Sequence, residues 1–199
     1  MSDATIQLGT RGSALALAQA GPLADKLGAE LVVIDAPGDE PADPLRLALR
    51  AREVDAVVHA YKELPLAEAD GLVIAAVPKR GDARDALCAR DGLTLDDLPS
   101  GARVGTASPR RRAQLLARRP DLEVVAIDDP LELRLARIGV DLDAVVLAAA
   151  GIDRFERLDL VTEFFGIDGW PTTAAQGALA VEVRRGDEKR VSKLDHRPT

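Results

Sequence analysis

The chain has 199 residues, 47% hydrophobic and 30% charged, with a formal net charge of −7. That length can bury one large core or two small ones, and the acidic balance argues against a general polyanion such as nucleic acid as partner. One cysteine (Cys88) and two histidines (His59 and His196) exclude an intramolecular disulfide and a multi-cysteine metal site, so no metal is expected.

In chain order, residues 6–9 read as a short strand. Ser13 is placed to cap a helix running to about Leu27, with Leu15, Leu17, Ala18 and Leu23 as its apolar positions. Residues 30–35 read as a buried strand, residues 36–44 as a loop rich in proline, glycine and acid, and residues 45–52 as a helix. Strands follow at 56–59 and 72–77. The polar stretch Lys79-Arg80-Gly81-Asp82-Ala83 reads as a crossing between domains. A second alternation then begins: strand 103–105, helix 110–118, strand 122–127, helix 131–138, strand 144–147, helix 149–155. Residues 172–176 read as a second crossing, 178–183 as a strong strand and 186–194 as a final short helix. Alternating helices and strands imply an α/β protein, here two lobes with a ligand cleft between them. The start, Met1-Ser2-Asp3-Ala4, has neither a basic nor an apolar leader segment, and no apolar run approaches a membrane span, so a cytoplasmic protein without membrane contact is expected.

The most informative segment is Val104-Gly105-Thr106-Ala107-Ser108-Pro109-Arg110-Arg111-Arg112. It reads as a strand, a small-residue turn and a helix opening on Pro109. Hydroxyls and free N–H groups at a helix start attract anions, and guanidinium forks grip carboxylates. Three arginines there oppose the helix macrodipole, which an anion at the site would offset.

Several segments, in order, resemble the porphobilinogen deaminase (hydroxymethylbilane synthase) family. They are Gly9-Thr10-Arg11-Gly12-Ser13-Ala14-Leu15-Ala16-Leu17-Ala18-Gln19, Val54 to Pro65 with His59-Ala60-Tyr61-Lys62-Glu63 inside it, and Asp82-Ala83-Arg84-Asp85-Ala86-Leu87. The Gly105–Arg111 stretch, Ala148-Ala149-Ala150-Gly151-Ile152 and Ala175-Gln176-Gly177-Ala178-Leu179-Ala180-Val181-Glu182 complete the set. The resemblance implies two domains like those of type II periplasmic binding proteins. The first is discontinuous, residues 1–79 plus 177–199; the second covers residues 83–175. Family members carry a third domain whose cysteine holds a dipyrromethane cofactor, to which successive deaminated porphobilinogen units are added. This chain reaches Thr199 without that domain, so no cofactor on this chain and no attachment residue are expected.

By the same resemblance, the candidates for catalysis are Glu63, where the family has Asp, and Lys62. A carboxylate there stabilises positive charge developing on a pyrrole nitrogen. The candidates for holding the ligand's acetate and propionate groups are Arg11, Ser13, Thr106, Ser108, Arg110, Arg111, Arg134 and Arg154. The resemblance places Asp128 where the family has an arginine, and the residues themselves suit Asp129 as a helix cap before Pro130. Cys88 reads as a small buried hydrophobe, and His59 as a core histidine ending a buried strand. Two readings stay open. One is a porphobilinogen deaminase, with the missing part supplied by a partner chain. The other is a non-catalytic or regulatory protein that clamps a small acidic ligand such as porphobilinogen or a linear pyrrole.

Overall fold

The computed structural model describes residues 5–35, 42–67 and 69–196. The start of the chain at Met1-Ser2-Asp3-Ala4, most of the acidic loop expected at 36–44, and the end at Thr199 lie outside the described residues. The chain divides into two compact units, Met1–Gly81 with Gly177–Thr199, and Asp82–Gln176.

In the first unit, β1 (Gln7–Arg11), β2 (Glu30–Ile34), β3 (Ala56–Ala60), β4 (Leu72–Ala76) and β10 (Leu179–Arg184) form one sheet in the order β2-β1-β3-β10-β4. β1 pairs in parallel with β2 and β3, whereas β10 runs antiparallel to β3 and β4. Helix α1 (Ala14–Leu27) packs on one face. It buries Ala16, Ala20, Leu23, Ala24 and Leu27, a helical spacing that makes one apolar stripe. Ser13 caps it by accepting from the Ala16 N–H. Gly28 ends it at φ 65°, a left-handed conformation that favours glycine. On the other face, α2 (Ala42–Ala51) places Leu45, Ala48 and Leu49 against Val54, Val57 and Leu72.

The second unit repeats the plan. Strands β5 (Asp85–Ala89), β6 (Arg103–Gly105), β7 (Glu123–Val125), β8 (Ala144–Ala148) and β9 (Glu163–Phe164) lie in the order β7-β6-β8-β5-β9. Again the first three in sequence after the antiparallel strand pair in parallel, with β5 antiparallel to β8 and β9. Helix α3 (Pro109–Arg118) sends Leu115 to the face that holds Leu87, Val104, Val146, Phe165 and Trp170. Helices α4 (Leu131–Ala136) and α5 (Ala149–Arg154) cover the other, where Ala86, Cys88, Val145 and Ile152 are buried.

Four expectations change. β2 was expected to be buried, but it is a sheet edge with Val33 56% exposed, since only β1 pairs with it. β5 was not expected at all; its apolar run becomes a central strand through pairing with β8, more than fifty residues away. The helix expected at 186–194 is two 3-10 turns, Glu188–Arg190 and Ser192–Leu194. Asp129 does not cap α4: Pro130 holds that position without a side-chain bond, and Asp129 pairs with Arg137 at 3.1 Å.

Candidate functional site

In the first unit, the candidates follow the C-terminal ends of the parallel strands β1 and β3, the edge where α/β sheets bind ligands. Arg11 ends β1 and Glu63 lies in the 3-10 turn Tyr61–Glu63 after β3. Arg11 Nη2 donates to Glu63 Oε2 at 2.9 Å, with both side chains partly exposed. The structure therefore joins a candidate ligand-binding cation to the candidate catalytic carboxylate. Lys62 is exposed on the same turn. Ser13 is exposed beside Arg11, its oxygen engaged as the α1 cap and its O–H still able to donate.

Behind this edge lies a buried ionic cluster. Glu182, 2% exposed on β10, accepts from Arg46 Nε and Nη2 at 2.9–3.1 Å and sits 3.1 Å from His59 Nε2. Burial pushes the Glu182 carboxyl pKa up, but the hydrogen bonds and charges of His59 and Arg46 outweigh it and hold it below its ordinary value. His59 is a buried histidine satisfied by a carboxylate, as the core reading expected. Arg46 and Glu182 were missed as a pair. The available signal was a lone acid within an otherwise apolar strand run.

In the second unit, β6 leads directly into the arginine segment. Thr106 is buried, and its hydroxyl accepts from the Ser108 N–H at 3.2 Å. Ser108 caps α3 through the Arg111 N–H, and Pro109 stands in the first turn. Arg110 and Arg111 both turn to one carboxylate, that of Asp85 at the start of β5. Arg111 Nη2 reaches Asp85 Oδ1 at 2.7 Å and Arg110 Nη2 reaches Oδ2 at 2.8 Å. Trp170 Nε1 and Gln176 Nε2 each add a bond of 2.9 Å to it. Asp85 is 0% exposed. Burial alone would raise its pKa; the Arg111 charge and the bonds from Arg111, Trp170 and Gln176 bring it below the usual carboxylate value. The anion that the arginine-rich helix start calls for is thus supplied, at least in part, by the chain itself. Asp85 and Trp170 were not singled out from sequence.

Arg134 on α4 donates to the Asp129 carbonyl and lies 3.3 Å from Asp128, whose side chain is 93% exposed. Its pKa is lowered by burial and also by the neighbouring Arg111 charge, which places Arg134 in the same electrostatic field as the arginine pair. Arg154, at the end of α5, is half-buried, and burial lowers its pKa also. Cys88 is buried, and its thiol is pushed up to about 12 by burial and by Asp159, so it is protonated and unreactive in the fold. Among the described residues no helix is long and apolar enough to cross a membrane, and no group of three or more histidine, cysteine and acidic side chains is arranged to hold a metal.

The two repeated sheets, each with one antiparallel strand inserted beside three parallel ones, define the class: a two-domain α/β protein with the type II periplasmic-binding-protein fold. Solved structures agree. A putative methionine-binding lipoprotein from Bacillus subtilis superposes with a TM-score of 0.57 at 19% identity, covering 99% of this chain and 92% of its own. An ABC-transporter periplasmic substrate-binding protein from Coxiella burnetii gives 0.55 at 16%, covering 98% and 93%. The chain belongs to the porphobilinogen deaminase family: residues 6–192 match the family model described as "Porphobilinogen deaminase, dipyromethane cofactor binding domain". Porphobilinogen deaminase of Leifsonia xyli is 51% identical over 92% of this chain, and that of Thermobifida fusca 46% identical over 100%. The chain spans 62% and 70% of those two relatives' lengths. The family thus uses a dipyrromethane cofactor, and the matched region is described by its binding; the expectation that no cofactor goes with this chain has no support.

Proposed function

We propose that this chain is the part of a porphobilinogen deaminase that holds carboxylate-bearing pyrroles. The observation that carries the reading is a local one at the start of α3, where two arginines meet one carboxylate. Arg110 and Arg111 share the single carboxylate of Asp85, and Arg134 lies in the same field. Asp128 offsets part of the Arg134 charge, yet it is nearly fully exposed. Thr106, Ser108 and Arg154 add further donors for acetate and propionate groups in the second unit; the first unit by itself offers Arg11 and Ser13. This donor set fits the carboxylates of a dipyrromethane. Cys88 does not fit its covalent anchor, because its thiol is buried and protonated. When bound, dipyrromethane supplies the pyrrole end to which porphobilinogen units are added.

Glu63 and Lys62 are the residues for the chemistry. Glu63 offers a carboxylate to a pyrrole N–H on which positive charge grows as ammonia departs, and Lys62 stands next to it on the same turn. Arg11, at 2.9 Å, fixes where that carboxylate points. Glu reaches one methylene further than the family's Asp, so turnover depends on whether this geometry matches the substrate.

The second reading, a non-catalytic clamp for a small acidic ligand, rests on the same arginine pair, which can grip a carboxylate whether or not chemistry follows. Calorimetric titration with porphobilinogen, paired with an assay of ammonia release, separates the two. Binding with ammonia release supports the deaminase; binding without release supports the clamp. No binding overturns both.

A further inference from the structure

We propose that Asp85 is the positioning residue of the arginine pair: held by Trp170 and Gln176, it sets how Arg110 is presented to a ligand carboxylate. This rests on the pyrrole-binding reading above and adds to it a residue that touches no ligand.

One arginine would neutralise the buried carboxylate and fill two of its roughly four acceptor sites. Asp85 has two arginines and two neutral donors. Oδ1 takes Arg111 and Gln176, and Oδ2 takes Arg110 and Trp170. Three hydrogen bonds and the Arg110 ion pair, spread over both oxygens, fix the carboxylate's orientation. Asp85 also pairs in register with Ala148, the last residue of β8, so it stands at the sheet edge where β6 and β8 deliver α3 and α5. From there it reaches the start of α3 from the protein side.

The two arginines are held differently. Arg111 is 7% exposed, with Nη1 donating to the Val146 carbonyl at 3.1 Å. Arg110 keeps 28% of its side chain exposed, and its Nη1 donates to Gln114 Oε1 and the Pro171 carbonyl at 2.7 and 2.9 Å. Its guanidinium is therefore fixed in plane by Asp85 on one nitrogen and two further acceptors on another. One positive charge of the pair is left over to meet an anion from solvent. A guanidinium already oriented loses less freedom when a carboxylate docks, and the affinity gained is that of preorganisation. Trp170 is itself locked, stacked on Phe165 with ring centroids 4.2 Å apart. Orientation passes from the Phe165–Trp170 stack to Asp85 and then to Arg110.

The test is calorimetric titration of the whole chain with porphobilinogen. Trp170→Phe keeps an aromatic ring on Phe165 and removes the N–H donor together with part of the buried ring. It should lower the melting temperature while leaving the chain folded, and weaken porphobilinogen by about three- to tenfold, the range of a coupling through one neighbour. Asp85→Asn, which keeps the size and removes the charge, should weaken it further; should that variant not fold, Trp170→Phe decides alone. In an Arg110→Gln background, Trp170→Phe should cause no additional loss, because its effect runs through Arg110; a merely structural role gives additive losses. Binding by the wild type that Trp170→Phe leaves within about twofold, or additive losses in the double variant, overturns the positioning role while the pyrrole-binding reading stands. No binding by the wild type overturns that reading, and the positioning role with it.

Discussion

Gly9 and Gly105 hold the same place in two sheets: each sits on the first parallel strand, between two parallel neighbours, one residue before a buried threonine. A β-carbon on Gly9 would lie 2.8 Å from Ile34 Cδ1 and 2.9 Å from Val57 Cγ1; on Gly105 it would lie 2.6 Å from Ile127 Cδ1 and 2.8 Å from Leu142 Cδ1. Both contacts are too short for carbon. These neighbours lie on the α2 face of the first sheet and the α4/α5 face of the second, opposite α1 and α3, whose starts are capped by Ser13 and Ser108. Gly9→Ala and Gly105→Ala should each destabilise their unit by about 1–3 kcal/mol through overpacking, with Gly105→Ala the larger effect, read from urea unfolding.

The Arg46–Glu182 pair gives a second expectation. Both groups are buried, and Glu182 also serves His59. Arg46→Met removes the two-pronged partner and leaves a buried carboxylate facing one histidine. The loss should be about 3–5 kcal/mol, the usual cost of orphaning a buried charge. Replacing Arg46 and Glu182 together by apolar residues should restore part of it, and a double-variant unfolding series measures how much.

Acid should unfold the chain through the same carboxylates. Asp85 and Glu182 both have folded-state pKa values below their ordinary 3.8 and 4.5. The unfolded chain therefore binds protons more readily than the folded one. Their contribution is complete above those ordinary values and is lost as pH falls through the lower, folded ones. Unfolding free energy measured from pH 6 down to about 2 should decline below about pH 4.5, and Glu182→Gln should flatten part of that decline.

Much of this was legible in the sequence, for a physical reason. Ser13 marks the start of α1 by residue type alone, but the buried stripe runs through Ala16, Ala20, Leu23, Ala24 and Leu27 and, of the expected Leu15, Leu17, Ala18 and Leu23, includes only Leu23, with Leu17 37% exposed: small alanines, not the leucines, face the sheet. The joining of Arg11 to Glu63, 52 residues apart, follows only from the pairing of β1 with β3. Strand β5 was invisible because Asp85-Ala86-Leu87-Cys88-Ala89 has no β-branched residue and no alternation. What makes it a strand is the five-residue register with β8. The same non-locality hid the arginine pair's internal partner. Asp85 stands 26 residues before Arg111 and 85 before Trp170, so the local pattern showed the cations and not their anion.

Cys88 provides a probe of folding in the second unit. It is fully buried on β5, and its thiol is raised to about 12. Only the thiolate reacts, so a thiol reagent at pH 8 should label the native chain slowly and the urea-unfolded chain at the rate of a free cysteine. Labelling of the native protein as fast as the unfolded one would mean that β5 is not an interior strand of its sheet.

The two arginines at the start of α3 should separate by experiment into unequal parts. Arg111 is 7% exposed and ties helix α3 to Asp85 on β5 and to the Val146 carbonyl on β8, so it links three elements of the second unit. Arg111→Ala removes the buried cation, leaves a cavity and strips Asp85 of its shortest bond; about 3–5 kcal/mol should be lost. Arg110 is partly exposed, and Asp85 keeps Arg111, Trp170 and Gln176 without it. Arg110→Ala should therefore lower stability by only about 1 kcal/mol. Equal losses from the two substitutions in urea unfolding would contradict this division. The smaller loss at Arg110 is what leaves that position open to be spent on a ligand, since a side chain that the fold can do without is one whose affinity for an outside carboxylate can be measured without unfolding the protein.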